Sequence, residues 1–362
     1  VADTARVESG PALNYARTSD GVTLAYQVIG QGPALVWLPS LSSLRAQWRV
    51  PVLRAAYLEL ARSMTLVLYD GRGNGSSDRR VDTADLGLDA HLRDLDAVVS
   101  AAGITTTALL GYYHSATTAI AFAADHPEQV GRMVLFGGAA RLRDAMSPVQ
   151  TQALLSLVEQ DWDLFAETAA HAWLGWAAGE SGRQLAEVFR TAATPSVAKA
   201  WFESGSRIDV TDRLPRVHAP TLVLHRQGER QMPVEVSRRL ADAVPRGRLV
   251  ELAGSFPTLF LEDARGDLEL ITRFLVSGEV APAMEAAGKS PASSATATRD
   301  AVTARARGVL RLLAAGDSNA EIAGRLGITV HTVERHAANL YRKIGARGRA
   351  DATAYALRRG LA

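Results

Sequence analysis

Leu109-Leu110-Gly111-Tyr112-Tyr113-His114-Ser115 carries an apolar run into a glycine, and the Ala/Thr-rich segment that follows reads as a helix to about Asp125. Such a switch within a few residues predicts a buried strand turning sharply into a helix. Two residues after Gly111, on the turn itself, stands Tyr113.

Working outward, residues 22–29 mix β-branched and aromatic residues and end at Gly30-Gln31-Gly32-Pro33, a strand and a turn. Residues 34–38 and 64–69 are short continuous apolar runs, the pattern of parallel strands buried on both faces. The second leads into Asp70-Gly71-Arg72-Gly73-Asn74-Gly75-Ser76-Ser77. That loop lacks the lysine a phosphate-binding P-loop requires, so it reads as a tight turn. A helix at about 89–102 precedes the opening stretch, and a strand at 132–136 follows its helix. Strands alternating with helices at this spacing predict an α/β fold, a parallel sheet with helices on both faces.

Between about 141 and 209 the strand signal stops, and amphipathic Ala-rich segments hold Trp162, Trp173, Trp176 and Trp201. A helical insertion there would cap the C-terminal strand ends, where open α/β sheets bind ligands. The tryptophans fit core packing and ligand contact about equally. Sheet rhythm resumes with a strand at 220–225, a helix at 234–243, a strand at 248–252 and a helix at 264–276. Residues 1–12 read as disordered, and 277–299, rich in Ser, Gly, Pro, Ala and Thr, as a flexible linker.

After the linker, residues 308–316 form an amphipathic helix stopped by glycine. Ser318-Asn319-Ala320-Glu321 is a capping box, Gly327 ends the second helix, and Thr329 caps a third. Its apolar positions Val330, Val333, Ala337, Leu340, Tyr341 and Ile344 recur at helical steps. Two helices joined by a short glycine turn make a helix-turn-helix. Residues 300–362 carry eleven Arg/Lys against five Asp/Glu, so a chain of net charge +2 has a basic tail on an acidic body. That split points to nucleic acid as the tail's partner, although charge alone fits a solvated helical surface better.

With 362 residues, 47% of them hydrophobic, the chain has room for one large domain and a small one. It contains no cysteine, which excludes disulfides, thiolate metal sites and cysteine nucleophiles. No motif asks for a cofactor or a metal. No apolar run approaches the roughly 18 residues of a membrane span, and the first residues lack the pattern of a signal peptide. The expectation is a cytoplasmic protein.

The first 276 residues resemble the α/β-hydrolase family, and within it the hydrolase-like sensor domains fused to regulatory modules. The resemblance is carried by Asp70-x-Arg72-Gly73-x-Gly75-x-Ser77, Leu109-Leu110-Gly111 and Phe122-Ala123-Ala124-x-His126-Pro127-Glu128. Pro220-Thr221-Leu222-Val223-Leu224-His225 and Phe260-Leu261-Glu262-Asp263 add to it. It implies a nucleophile elbow, G-x-S-x-G in the family, and a triad in the order nucleophile, acid, histidine. Those positions fall on Tyr113, Glu229 and Pro257. Proline accepts no proton, so base and serine are both missing, and the implied domain is catalytically silent. Ser115 lies two residues past the turn and reads as an early-turn or N-cap hydroxyl of the helix. By the same resemblance a cleft survives between elbow and cap, walled by Leu41, Ser42, Tyr113, His114 and Phe256 with the cap tryptophans above. It suits a small apolar or aromatic ligand, to which the Tyr113 phenol could donate a hydrogen bond.

Residues 302–360 resemble the LuxR-type helix-turn-helix. The matching text is Val309-Leu310-Arg311-Leu312-Leu313-Ala314-x-Gly316, Ser318-Asn319-x-Glu321-Ile322-Ala323 and Leu326-Gly327-Ile328. His331-Thr332-Val333-Glu334-Arg335-His336 and Asn339-Leu340-Tyr341-Arg342-Lys343-Ile344 continue it. The resemblance implies base reading by Glu334, Arg335 and Ala338. Thr329, Thr332, Asn339, Arg342 and Lys343 complete the DNA-facing set, Arg342 and Lys343 on phosphates. It also implies a homodimer through a last helix near 348–359, reading an inverted repeat of double-stranded DNA. The whole chain then reads as a ligand-responsive transcriptional regulator with a sensing domain at 13–276 and a DNA-binding domain at 300–362. Two readings stay open beside it: an active hydrolase tethered to DNA and using Tyr113 or Ser115, and a scaffold without ligand.

Overall fold

Along the central strands, alternate residues enter two different cores. Leu35, Leu66, Leu68, Leu110, Val134, Phe136, Leu222 and Leu224 belong to one buried cluster. Their neighbours Val36, Val67, Leu109, Met133, Leu135 and Val223 belong to the other. A strand has a side-chain period of two, so an uninterrupted apolar run fills both faces of a sheet.

The computed structural model describes residues 10–145, 148–174, 179–229, 232–259 and 263–280, and in the C-terminal part 312–313, 317–326, 333, 337 and 340–341. It divides into two units, residues 1–290 and 291–362. In the first, the strands are β1 (Asn14–Arg17), β2 (Thr23–Ile29), β3 (Ala34–Trp37), β4 (Thr65–Tyr69), β5 (Thr107–Tyr112), β6 (Val130–Phe136), β7 (Thr221–Arg226) and β8 (Gly247–Leu252). They form one sheet in the order β1-β2-β4-β3-β5-β6-β7-β8. β2 runs antiparallel to β1 and β4, and every other pairing is parallel.

The helices before the insertion are α1 (Leu44–Gln47), α2 (Pro51–Leu60), α3 (Leu88–Ala101) and α4 (Ser115–Asp125). α4 is built of small residues because it is buried from Ser115 to Ala124. A Cβ on Gly111 would stand 2.9 Å from the Cα of Ala116, so the strand-to-helix crossing requires glycine there. The insertion after β6 comprises α5 (Leu142–Ala145), α6 (Pro148–Gln160), α7 (Trp162–Leu174), α8 (Gly179–Ala192) and α9 (Pro195–Arg207). An isolated antiparallel bridge between Arg141 and Asp209 closes its base. α10 (Val234–Ala243) and α11 (Ala264–Ser277) complete the unit.

The sequence reading missed β1, a four-residue edge strand with three exposed positions and thus no apolar run. α1 and α2 likewise carry no signal in the sequence, and residues 10–12, expected to be disordered, are held in place. The Pro11 carbonyl accepts a hydrogen bond from Gln27 Nε2 at 2.6 Å, and Gly10 lies against the Trp48 ring.

In the second unit, α12 (Asn319–Leu326) begins with the capping box. The Ser318 N–H donates to Glu321 Oε2 at 2.7 Å, and the Glu321 N–H to Ser318 Oγ at 3.3 Å. Leu313, Ile322, Ala323, Val333, Ala337 and Leu340 are buried. Thr329, Thr332, Glu334, Arg335, Ala338, Asn339, Arg342 and Lys343 lie outside the described residues, as do 281–299 of the expected linker and 348–359 of the expected dimer helix.

Candidate functional site

Tyr113 occupies the turn between β5 and α4 with φ of +48°, the one non-glycine described residue in the left-handed region. A residue with a Cβ is strained there and stays only where its surroundings fix it. Its N–H donates to the Phe136 carbonyl at 3.0 Å. Its ring meets Tyr112 and Phe136 edge-on, with centroids 5.1 and 6.0 Å away. Gly137 makes room for that ring, since a Cβ there would approach it to 2.6 Å.

The Tyr113 hydroxyl donates to Glu229 Oε2 at 2.9 Å. Burial first, then Tyr112 and Glu229, push its pKa well above 10, so it stays protonated. The Tyr112 hydroxyl, raised by burial in the same way, donates to the Pro257 carbonyl. Two of the three positions that the resemblance picked out are therefore bonded to each other, and the third offers its carbonyl to a neighbouring phenol. Arg226 holds the loop carrying Pro257. Its guanidinium donates to the carbonyls of Ala253 and Thr258, both at 2.8 Å, and pairs with buried Asp267. Ser115 Oγ accepts the Tyr112 N–H at 2.9 Å and stands 3.2 Å from the Tyr112 carbonyl oxygen and 3.4 Å from that of Leu38. Its hydroxyl ties the first residue of α4 back to the end of β5; the N-cap of α4 is His114 and no side chain caps that helix, so the N-cap role expected of Ser115 is not seen.

Two cavities share Leu38, Pro39, Ser40 and Tyr69 as a common wall. The larger, about 60 Å³, brings Leu41 and Ser42 together with Trp37, Tyr57, Thr258 and, from α8, Phe189. The smaller, about 30 Å³, contains His114 and Trp201 with Asn74, His91 and Asp94. The His114 ring stacks on Trp201 at 4.1 Å, and its buried Nε2 has no hydrogen bond among the described residues. Burial, with His91 second, depresses its pKa to about 3, so the imidazole is neutral.

Tyr113 and Phe256 line neither cavity. Trp162 stacks on Phe165 at 5.0 Å and donates to the Arg190 carbonyl at 3.4 Å. Trp173 lies on α7, and Trp176 outside the described residues. Sequence reasoning missed Trp37, Tyr57 and Thr258. Trp37 ends a recognised strand and Thr258 follows Pro257, but Tyr57 sits on α2, which had no signal. Among the described residues, no group of His, Asp and Glu is placed to hold a metal ion, and no helix is long and apolar enough to cross a membrane.

Residues 55–264, more than half of the chain, match the alpha/beta hydrolase fold family. The chain belongs to the alpha/beta hydrolase fold family. Residues 300–356 of this hydrolase-fold chain match the luxR family of bacterial regulatory proteins. It is similar to an uncharacterized protein of Mycobacterium tuberculosis, 23% identical over 298 residues that cover 76% of this chain and 85% of that protein. Its C-terminal part is similar to the transcriptional regulatory protein MctR of Rhizobium johnstonii, 47% identical over 62 residues, 17% of this chain and 29% of that protein. Among solved structures, an esterase from Exiguobacterium antarcticum gives a TM-score of 0.64 at 18% identity, covering 73% of this chain and 99% of that one. At that identity the likeness shows the fold alone. A hydrolase-fold domain joined to a LuxR-type DNA-binding domain supports a role in regulating transcription.

Proposed function

We propose that the chain is a ligand-responsive transcriptional regulator. Its hydrolase-fold domain, residues 13–276 with a cap at 141–209, binds a small apolar or aromatic molecule without turning it over. After the linker at 277–299, its LuxR-type domain, residues 300–362, binds an inverted-repeat DNA site as a homodimer in the cytoplasm. Glu334, Arg335 and Ala338 face bases there, and Arg342 and Lys343 face phosphates, with Thr329, Thr332 and Asn339 beside them. The effector lies against Leu41 and Ser42, and its differential affinity for two states of the dimer sets DNA binding.

The observation that carries catalytic silence is the bond from Tyr113 to Glu229. Acyl transfer needs a nucleophile whose proton passes to an imidazole oriented by a carboxylate. Here a phenol that keeps its proton is tied to the carboxylate, and the third position is proline. Ser115 supports the tethered-hydrolase reading poorly, because its hydroxyl is engaged by backbone groups.

The test uses the full chain with p-nitrophenyl acetate and with DNA selected by genome-wide binding. The expected result is no ester turnover beyond that of Ser115→Ala, together with protection of an inverted repeat. Arg335→Ala relaxes sequence preference, whereas Arg342→Ala weakens binding on all DNA and flattens its salt dependence. Turnover abolished by Ser115→Ala or Tyr113→Phe would replace this reading with the hydrolase.

A further inference from the structure

With the larger cavity as the ligand site proposed above, the chemistry of its lining decides the charge of the ligand. Among the described residues, its lining contains no Asp, Glu, Lys, Arg or His. Its polar groups are neutral: the hydroxyls of Ser40, Ser42, Thr258 and the tyrosines, the indole N–H of Trp37 and the amide of Gln47. Thr258 is wholly buried, and among the described residues its Oγ1 has no hydrogen-bond partner. A buried hydroxyl left in that state is costly, and a polar atom of a guest removes the cost.

The charges behind the lining are spoken for. Buried Asp70 accepts the N–H groups of Leu44 and Ser76, both at 2.8 Å. Leu44 belongs to the lining, and the Asp70 charge reaches Tyr57 in the same wall. Arg226 is occupied by Asp267 and by the carbonyls of Ala253 and Thr258. A carboxylate entering the cavity would lose its hydration, meet no cation in the lining and face the field of Asp70. An ammonium would find no counter-ion in the lining.

We propose that this cavity takes an uncharged ligand, a single-ring or similarly compact apolar body with one neutral oxygen function held by Thr258, and rejects the matching carboxylate. The oxygen function is a hydroxyl, an ester or lactone carbonyl, or an amide. The volume of about 60 Å³ corresponds to roughly four to six water positions, which sets the compact size.

The test compares 2-phenylethanol with phenylacetate, nearly equal in shape and different in charge, on the full chain at pH 7.5 by ligand-observed NMR and thermal shift. The expected result is binding of 2-phenylethanol at least about fiftyfold tighter than phenylacetate. Gln47 is half-buried in the lining, so Gln47→Lys offers a cation at the rim without burying it and narrows the gap to less than about fivefold. Thr258→Val weakens 2-phenylethanol roughly tenfold and leaves ethylbenzene unchanged. Val188→Trp, which fills the cavity, removes binding of both compounds, with circular dichroism confirming that it folds. Phenylacetate bound as tightly as 2-phenylethanol, and lost in Val188→Trp, overturns the charge rule while the ligand-site reading stands. If neither compound binds, or Val188→Trp changes nothing, the ligand-site reading itself falls.

Discussion

Two closed polar networks lie at the C-terminal ends of the strands, one ionic and one phenolic. In the first, after β4, the Arg72 guanidinium bonds Asp94 at 2.8 Å, Asp20 at 2.8 Å and Asp85 at 3.1 Å, while Asp70 collects backbone N–H groups. In the second, Tyr113 is tied to Glu229 and Tyr112 to the Pro257 carbonyl. The ionic network ties loops together, and two of its members, Asp70 and Arg72, belong to the glycine-dense stretch after β4 that carries the family resemblance. The phenolic one involves the three positions that the resemblance assigns to the triad, and its two phenols hold their protons far above neutral pH.

The largest break in this comparison is Arg72→Met. Both Arg72 and Asp94 are almost fully buried, so the change leaves Asp94 charged and unmatched. Removing one partner of a buried pair costs about 3–5 kcal/mol, read as a fall in urea-unfolding free energy at pH 7. A loss below about 1 kcal/mol, the range of exposed pairs, would show that the loop anchor contributes little.

Much of the frame was legible in the sequence because continuous apolar runs, glycine-marked turns and capping residues act locally. β2 to β8 and the helices after β4, β5, β7 and β8 could be read that way. Tyr113, Glu229 and Pro257 were each singled out by the family resemblance, which says nothing of how they bond. The contact between Tyr113 and Glu229 spans 116 residues, and nothing near either residue specifies it. The same holds for the larger cavity. The cap tryptophans stand out in the sequence, whereas the α8 contribution to this cavity is Leu185, Val188 and Phe189. An amphipathic helix reveals which face is buried but not which cavity that face closes.

His114 stands where the two networks approach, following Tyr113 in the chain and sharing a cavity with Asp94. Its pKa is near 3 in the fold against an ordinary 6.5. Its contribution is therefore present in full above pH 6.5 and is lost as pH falls toward 3. Asp20, lowered chiefly by its bond to Arg72, acts in the same sense. Asp70 is raised to about 6 by burial, so its contribution is complete below 3.8 and is lost as pH rises through 6. His114→Phe keeps the stacking on Trp201 and removes one limb only. Relative to the unchanged protein, its stability should rise by roughly 2–3 kcal/mol between pH 7.5 and pH 4.5. Parallel stability curves for the two proteins over that interval would mean that His114 takes up protons freely.

The smallest effect sharpens the phenolic side. Tyr113→Phe keeps the ring in the space left by Gly137 and keeps the backbone at its left-handed φ, so it deletes only the hydroxyl bonded to Glu229. A single hydrogen bond of this kind is worth about 0.5–1.5 kcal/mol, and unfolding should register a loss of that size. Tyr113 lines neither cavity, so the affinity for 2-phenylethanol and the binding of DNA should both stay unchanged. A lost ligand response in this variant, at near-normal stability, would mean that the phenol leaves Glu229 for the ligand. The turn would then be the sensing contact as well as a strained joint between strand and helix.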